Sequence, residues 1–240
     1  MTDEKRIKVF IAAGGDGSRI KKVTMEVIPK SLANINGFPL VSYQLRTLLD
    51  FGFQDITISF NYSWQAELFD LLMLKGYVPK NNYIKTLHPF GTEHYMDILK
   101  FGDGKKILDG KSSLFYTSGD VIYKKSWLRS FVKLFKENHC SIFTKWKPKK
   151  LIPPRVITLN NKIVRINREQ NATWSPGPTL IIHADHIIDF RNTFSRPSKR
   201  TAVFMETSLK NDYDVFVIDI QRAEYLNINT YKDIKDMNFF

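Results

Sequence analysis

A glycine-rich segment near the start of the chain has the residue types of a phosphate-binding loop. Residues 12–20 read Ala-Ala-Gly-Gly-Asp-Gly-Ser-Arg-Ile and complete the apolar run that begins at Ile7. Glycines let backbone N–H groups come close to phosphate oxygens, and the guanidinium of Arg19 adds a planar cationic fork. Lys30 follows Pro29 and lies eleven residues beyond Arg19, where its ammonium can reach the same phosphates. The pattern predicts a phosphate site.

Two familiar phosphate loops do not fit this segment. A Walker loop requires Gly-x4-Gly-Lys-Ser/Thr, and no lysine follows Gly17 in that way. A dinucleotide fingerprint that begins at Gly15 would have its third glycine at position 20, where Ile20 stands. The remaining alternative is a turn that only joins a strand to a helix. Arg19 together with Lys30 favours phosphate binding over that alternative.

The composition narrows the class of protein without naming its ligand. The 240 residues are 43% hydrophobic and carry a net charge of +12, which favours anionic partners. The basic residues are scattered and no RNA-binding signature or Cys/His finger accompanies them, so we expect no nucleic acid partner. No run approaches the roughly 18 apolar residues of a membrane span, and the N-terminus lacks a signal-peptide core. We therefore expect a cytoplasmic protein with no membrane partner.

The single cysteine and the two neighbouring histidines are expected to be structural. Cys140 is the only cysteine, which excludes an intrachain disulfide and a thiolate zinc site. Its apolar neighbours predict a buried side chain. His183 and His186 flank Asp185, but no third ligand follows at a recognisable spacing. We interpret them as structural or surface residues.

The hydrophobic pattern alternates between the periods of strands and helices. Gly52 follows apolar residues at helical spacing from position 40, and a second helix is predicted at 64–74. Strands are predicted at 7–12, 55–60, 114–117, 141–146 and 213–220. This alternation favours an α/β fold with a mostly parallel sheet covered on both faces. Ligands of such sheets bind at the carboxyl ends of the strands, where the glycine segment, Gly119-Asp120 and the residues after Phe60 fall.

The second half of the chain is less regular. Residues 151–183 contain paired prolines, two short β runs (155–159 and 163–166) and a Trp-Ser-Pro-Gly-Pro turn. We expect a β-rich lobe that closes one side of a cleft. The predicted organisation is one domain over residues 1–240, with a core at 1–146, the lobe at 147–212, and a return strand and final helix at 213–240. Thr230 and Asp233 resemble a capping box that opens this helix.

These motifs together resemble the sugar-1-phosphate nucleotidyltransferases, a family that includes cytidylyltransferases acting on phosphocholine. The first part of the resemblance is the segment 13–20, Pro29-Lys30 and Asn-Gly-Phe-Pro-Leu at 36–40. Thinner matches follow in order at 90–92 (Phe-Gly-Thr), 118–120 (Ser-Gly-Asp) and 225–230 (Tyr-Leu-Asn-Ile-Asn-Thr), so the resemblance covers nearly the whole chain. It implies a Rossmann-like, glycosyltransferase-A type α/β/α sandwich, with the lobe on the acceptor side.

The resemblance also implies a reaction and a metal. A phosphate oxygen of the acceptor attacks the α-phosphorus of an NTP in line, and pyrophosphate leaves without a protein nucleophile. A magnesium ion supplies charge neutralisation and prefers oxygen ligands. By resemblance Asp120 is the first metal ligand, although a simple helix cap is the alternative. Asn227 stands where the family has its second aspartate, so by resemblance we expect its amide oxygen to be the second ligand, with Asn229, which follows closely, as the alternative.

The remaining site residues are carried over from the family by position. Nucleotide contacts are implied for Ala13, Gly14, Gly15, Gly17, Ser18, Gly91 and Thr92, with Arg19 along the β- and γ-phosphates and Lys30 at the α-phosphate. Thr86-Leu87-His88 replaces the family's base-reading glutamine, which leaves the base open. The family's Glu-Lys-Pro lysine is also missing. Arg168 or Lys145 would supply the cation for the acceptor phosphate, and Gly177 would line the acceptor wall.

Three functions compete on this evidence. The first is an NTP:sugar-1-phosphate nucleotidyltransferase whose partners are an NTP and a small phosphorylated acceptor. The second is a cytidylyltransferase for phosphocholine or another non-sugar phosphate. The third, motivated by Asn227 and the missing lysine, is a catalytically silent relative that only binds nucleotide. The oligomeric state stays open, with a homodimer as one possibility.

Overall fold

The computed structural model describes residues 7–15, 20–25, 27–87, 107–146, 155–160, 162–167, 175–189, 208–220 and 224–237. The strands are β1 (Ile7–Ala12), β2 (Asn34–Ile35), β3 (Phe38–Pro39), β4 (Ile56–Phe60), β5 (Ile84–Leu87), β6 (Ser113–Ser118), β7 (Val121–Tyr123), β8 (Ser141–Trp146), β9 (Arg155–Leu159), β10 (Lys162–Asn167), β11 (Ser175–Ile182), β12 (Val215–Asp219) and β13 (Tyr225–Asn227). The helices are α1 (Lys21–Thr24), α2 (Leu40–Phe51), α3 (Ser63–Leu74), α4 (Lys125–Asn138) and α5 (Tyr231–Asp236).

A nine-stranded sheet forms the centre of the part of the chain that the structure describes. Its order is β5-β4-β1-β6-β11-β8-β12-β10-β9. The pairs β1–β4, β1–β6, β4–β5 and β8–β12 are parallel. β10 and β11 run opposite to the other strands, because their pairings with β9, β12, β6 and β8 are all antiparallel. The predicted α/β class with a mostly parallel sheet is confirmed.

The central strands are buried on both faces. Val9 and Ile11 of β1 pack with helices α2, α3 and α4 in one core cluster, while Phe10 belongs to a second cluster with β6, β11 and β12. This alternation follows from the period of two residues along a strand. Cys140 is 4% exposed and burial raises the pKa of its thiol to about 11, as expected for a structural residue.

Local signals explain the ends of the helices. α2 ends at Gly52, whose φ of 106° lies in the left-handed region that glycine adopts without strain. α4 buries Trp127, Leu128 and Phe131 on one face. α5 begins with the predicted capping box of Thr230 and Asp233. Within the described residues no helix is both long and apolar enough to span a bilayer.

The second half of the chain contributes to the same sheet. The two predicted β runs at 155–159 and 163–166 correspond to the hairpin β9–β10 at one edge of the sheet. The predicted Trp-Ser-Pro-Gly-Pro turn is wrong for its described residues, 175–178. These residues begin strand β11, which lies between β6 and β8. A register shift between Pro176 and Leu180 lets the strand accommodate its prolines. The division into a core, a lobe and a return segment stays a prediction.

Candidate functional site

The first predicted site residues lie where β1, β4 and β6 end side by side. The Ala13 N–H donates to the carbonyl of Ser59 at 2.8 Å, which continues the pairing of β1 with β4. The side-chain amide of Asn61 donates to the Gly14 carbonyl at 2.7 Å. On the other side, the Lys30 N–H donates to the Gly15 carbonyl at 2.8 Å. The start of the glycine segment is therefore tied to β4 and to Lys30.

Glycine is required at two positions by close packing. A Cβ at Gly14 would lie 2.1 Å from Asn61 Oδ1 and 2.9 Å from the Asn61 backbone nitrogen. A Cβ at Gly119 would lie 3.0 Å from Ala13 Cα and 3.1 Å from the Ala12 carbonyl oxygen. At Gly15, by contrast, no atom of the described residues lies within 4 Å of such a Cβ. Within the described part of the chain, the backbone at Gly15 is therefore open to a ligand.

Lys30 and Asp120 form an ion pair beside this segment. Lys30 Nζ lies 2.5 Å from Asp120 Oδ2 and 3.2 Å from Asn229 Oδ1. The Lys30 side chain is 7% exposed and the Asp120 side chain 21% exposed. Asp120 and Asn229 follow Lys30 by 90 and 199 residues in the sequence, so only the tertiary structure brings the three side chains together.

Short hydrogen bonds position Lys30 and Asp120. Lys30 begins a 3-10 turn (Lys30–Leu32) after Pro29, and the hydroxyl of Ser31 donates to the Ala13 carbonyl at 2.5 Å. The Gly119 N–H donates to the Ala12 carbonyl at 2.7 Å. Through these neighbouring residues, the backbone at Lys30 and at Asp120 is fixed to the carboxyl end of β1.

Two buried oxygen atoms at the site have no hydrogen-bond partner among the residues that the structure describes. They are Asp120 Oδ1 and Asn227 Oδ1. Asn227 pairs with Val121 in the antiparallel β13–β7 ladder, and the Ile228 N–H donates to the Asp120 carbonyl at 2.9 Å, so the two residues are held as neighbours. Buried polar atoms normally find a partner. A carboxylate oxygen and an amide oxygen both suit a hard divalent cation, so these residues fit the expected magnesium ion.

Comparison with known proteins places the chain in a family. The model of the nucleotidyl transferase family matches residues 8–150, more than half of the 240 residues. This chain belongs to the nucleotidyl transferase family. The match covers the glycine segment, Lys30 and Asp120. No curated protein sequence matches the chain.

Solved structures confirm the fold of this nucleotidyltransferase over nearly its whole length. The inositol-1-phosphate CTP transferase from T. maritima has a TM-score of 0.69 at 18% identity, covering 98% of this chain and 96% of its own. A putative glucose-1-phosphate thymidylyltransferase from Bacillus anthracis, in complex with a sucrose, has a TM-score of 0.70 at 15% identity, covering 97% of this chain and 94% of its own. The CTP:phosphocholine cytidylyltransferase from Streptococcus pneumoniae has a TM-score of 0.71 at 20% identity, covering 97% of each chain.

A hydrogen-bonded chain of one buried amide and three buried hydroxyl groups lies close to Asp120 in the enzyme. Gln44 Nε2 donates to Thr117 Oγ1 at 3.0 Å, Thr117 Oγ1 lies 3.1 Å from Thr179 Oγ1, and Thr179 Oγ1 lies 2.6 Å from the Tyr225 hydroxyl. Burial raises the pKa of Tyr225, and the negative charge of Asp120 raises it further. The network therefore stays uncharged and joins α2, β6, β11 and β13 beneath the site.

Two of the predicted acceptor residues lie on neighbouring strands. Lys145 of β8 is 5% exposed, and its Nζ lies 3.4 Å from Asp219 Oδ1. A Cβ at Gly177 of β11 would lie 2.2 Å from Thr144 Oγ1, so close packing requires glycine there. Their roles toward an acceptor stay predictions. Gly17, Ser18, Arg19, Gly91, Thr92 and Arg168 lie outside the described residues.

The histidines lie at the amino ends of the central strands, and the contacts of His186 are structural. His186 is 7% exposed, its Nδ1 lies 2.8 Å from Ser141 Oγ, and its ring stacks on Tyr213 at 4.1 Å. Burial lowers the pKa of His186 to about 4. Among the described residues no group of three His, Cys, Asp or Glu could hold a metal.

A cavity of about 1170 Å³ also opens at the amino ends of the strands, next to Ile7, Asp55 and Ser113. Ligands of open α/β sheets bind at the opposite, carboxyl end. The Lys30–Asp120 pair lies at that carboxyl end, and we therefore base the assignment of function on it.

Sequence reasoning missed Ser31 and Gln44, and it included Asn61 only among the residues after Phe60. The sequence indicates a site role for Asn61, because it is the first polar residue after the buried strand β4. No sequence pattern indicates the roles of Ser31 and Gln44, because each is buried and makes its contact with residues distant in sequence.

Proposed function

We propose that this nucleotidyltransferase joins an NTP and a sugar 1-phosphate to give an NDP-sugar and pyrophosphate. The observation that carries the proposal is the buried Lys30–Asp120 pair beside the open backbone of Gly15, with two unpartnered oxygens at Asp120 and Asn227. Such an arrangement provides a cation and a metal-binding pair at one end of the sheet. Those are the requirements of in-line transfer at a phosphate.

Each residue has a distinct task in the proposed reaction. Asp120 and Asn227 would hold a magnesium ion, which when bound neutralises charge on the phosphates. Lys30 directs its ammonium at the α-phosphate and stabilises the charge that develops there. The backbone of Gly14 and Gly15 positions the nucleotide, and Arg19 is assigned to the β- and γ-phosphates. No protein nucleophile is required, because the acceptor phosphate oxygen attacks directly.

The amide at position 227 has a consequence for metal binding. Asp120 carries the single negative charge of the proposed ligand pair, and Lys30 already balances it. We therefore expect weak binding of magnesium alone and stronger binding when the nucleotide's own phosphate oxygens complete the coordination.

A sugar 1-phosphate is the favoured acceptor. The similarity to a putative glucose-1-phosphate thymidylyltransferase supports it. Arg168 and Lys145 are the proposed cations for the acceptor phosphate, with Gly177 at the acceptor wall. Since its substrate is an NTP, the proposal places the enzyme in the cytoplasm, as a monomer or a homodimer.

The second candidate is transfer of CMP to a non-sugar phosphate. The similarity to the CTP:phosphocholine cytidylyltransferase and to the inositol-1-phosphate CTP transferase supports CTP as the donor and a non-sugar phosphate as the acceptor. Membership of the nucleotidyl transferase family supports an enzyme over the silent relative.

A pyrophosphate-release screen tests these proposals. Four NTPs are crossed with a panel of sugar 1-phosphates, phosphocholine and inositol 1-phosphate in the presence of magnesium. Release with a sugar 1-phosphate supports the first proposal, and release only with CTP and a non-sugar phosphate replaces it with the second. Binding of NTP without release from any pair would overturn both.

A further inference from the structure

Asn229 already has a hydrogen bond in the site. Its side-chain oxygen accepts from the Lys30 ammonium at 3.2 Å, whereas the side-chain oxygen of Asn227 is buried without a partner. On sequence grounds Asn227 was favoured as the second metal ligand, by its position in the family motif, and Asn229 was the alternative. Their contacts separate them.

We propose that Asn229 is a positioning residue that keeps the Lys30 ammonium in place when a divalent cation takes over the charge of Asp120. Asn227 is then the amide ligand of that cation. This inference rests on the proposed function and adds a residue to it.

Lys30 needs a second acceptor because its ammonium is almost fully buried. In the ligand-free protein Asp120 compensates the charge at 2.5 Å. When a divalent cation binds the unpartnered Oδ1 of Asp120, it draws on the same carboxylate charge that compensates Lys30 through Oδ2. A buried lysine with no other acceptor would then keep only a weakened partner, which is unfavourable. Asn229 supplies an acceptor at that moment.

The neutral amide suits this task better than a carboxylate. An ammonium has three donor hydrogens, and within the described residues Asp120 and Asn229 accept two of them. The third is left for a phosphate oxygen. A second carboxylate would neutralise the ammonium and compete with the phosphate for it, whereas an amide holds the ammonium and leaves its charge in place.

The backbone around Asn229 is held rigidly. The Asn229 N–H donates to Asp233 Oδ2 at 2.9 Å, and the Thr230 N–H donates to the same oxygen at 2.7 Å. The preceding residue, Ile228, donates its N–H to the Asp120 carbonyl at 2.9 Å. The capping box of α5 therefore fixes the position of Asn229 relative to both Lys30 and Asp120.

The test is a double-mutant cycle on metal affinity, measured without nucleotide. Mn²⁺ binding is followed by electron paramagnetic resonance in the wild type, Lys30→Met, Asn229→Ala and the double variant. Lys30→Met should raise the affinity for Mn²⁺ because Asp120 loses its competing ion pair. Asn229→Ala should lower the affinity about threefold, within the range of couplings between contacting residues, because among the described residues Asp120 is then the acceptor left to Lys30.

The decisive comparison is the effect of Asn229→Ala in the Lys30→Met background. The inference expects no effect there, since Asn229 acts through Lys30. An equal loss of affinity in both backgrounds would show that Asn229 ligates the metal itself, and no loss in either would show that the contact has no such role. Asn211→Ala, which removes a surface amide bonded to Asp189, is the matched control. Thermal melting of each variant verifies folding.

Failure of this inference is distinguishable from failure of the proposed function. The Mn²⁺ cycle requires neither turnover nor the correct acceptor. Coupling between Lys30 and Asn229 without pyrophosphate release supports the inference and overturns the proposed reaction. Pyrophosphate release without coupling supports the reaction and overturns the inference.

Discussion

The two ends of the central sheet both contain buried polar clusters, and they differ in how completely their hydrogen bonds are satisfied. At the amino ends, Ser141 Oγ accepts from the His183 N–H at 3.1 Å and lies 2.8 Å from His186 Nδ1. At the carboxyl ends, Asp120 and Asn227 each keep one buried oxygen without a partner. A satisfied cluster stabilises the fold, whereas an incomplete one is prepared for a ligand.

The largest effect is expected from Asp120→Ala. It removes the charged ligand and leaves the Lys30 ammonium buried without a counter-charge, so pyrophosphate release should fall by at least about a hundredfold. Asp109→Asn is the matched control, because Asp109 forms an ion pair with Lys8 at 2.8 Å elsewhere in the protein. Comparable losses in both variants would contradict the assignment of the site to the carboxyl ends.

The cluster at the amino ends should affect the pH dependence of stability. The folded pKa of His186, about 4, lies below the ordinary histidine value of 6.5, so the unfolded state binds more protons between these values. Stability should therefore be complete above about pH 6.5 and fall by up to about 3 kcal/mol as the pH drops through 4.

Urea unfolding of the wild type and His186→Gln between pH 4 and pH 7 checks this prediction. The slope in this window should be smaller in the variant, whatever its overall stability. An unchanged slope would mean that other groups cause the acid sensitivity.

Adjacent glycines at the carboxyl ends should respond differently to a methyl group. Gly14→Ala should destabilise the protein by about 1–3 kcal/mol, because its Cβ overlaps Asn61 in a close-packed contact. Gly15→Ala has room for its Cβ and should cost less than about 1 kcal/mol. Urea unfolding measures both, and equal costs would show that the contact between Gly14 and Asn61 relaxes easily.

An effect smaller than that of Asp120→Ala is expected from Asn227→Asp. A second carboxylate should raise the affinity for Mn²⁺ in the absence of nucleotide by about tenfold, since divalent cations bind more tightly as ligand charge increases. Asn34→Asp serves as the control for a charge added at the surface, because the exposed Asn34 accepts from the Gly37 N–H at 2.9 Å and a carboxylate can do the same. If both variants bind Mn²⁺ like the wild type, Asn227 does not face the cation.

Much of the first half of the chain was predictable because its signals are local. The end of α2 at Gly52, the extent of α3 and the buried strands β1, β4 and β6 follow from spacing and residue type within a few turns of chain. The segment 175–182 was not predictable in this way. Its prolines indicate a turn locally, and pairing with β6 and β8 on both sides overrides that preference.

Local sequence patterns predicted the α/β class, the glycine segment and the candidate residues Lys30 and Asp120, since each depends on neighbours along the chain. The family motif also favoured Asn227 over Asn229 as the second ligand, but it assigned no contact to Asn229. The contact of Asn229 follows from the tertiary structure. The pairing of β13 with β7 leaves the side-chain oxygen of Asn227 buried without a partner among the described residues. The capping box of α5 brings the side-chain oxygen of Asn229 to the Lys30 ammonium. Contacts between residues distant in sequence therefore fix where each amide oxygen lies.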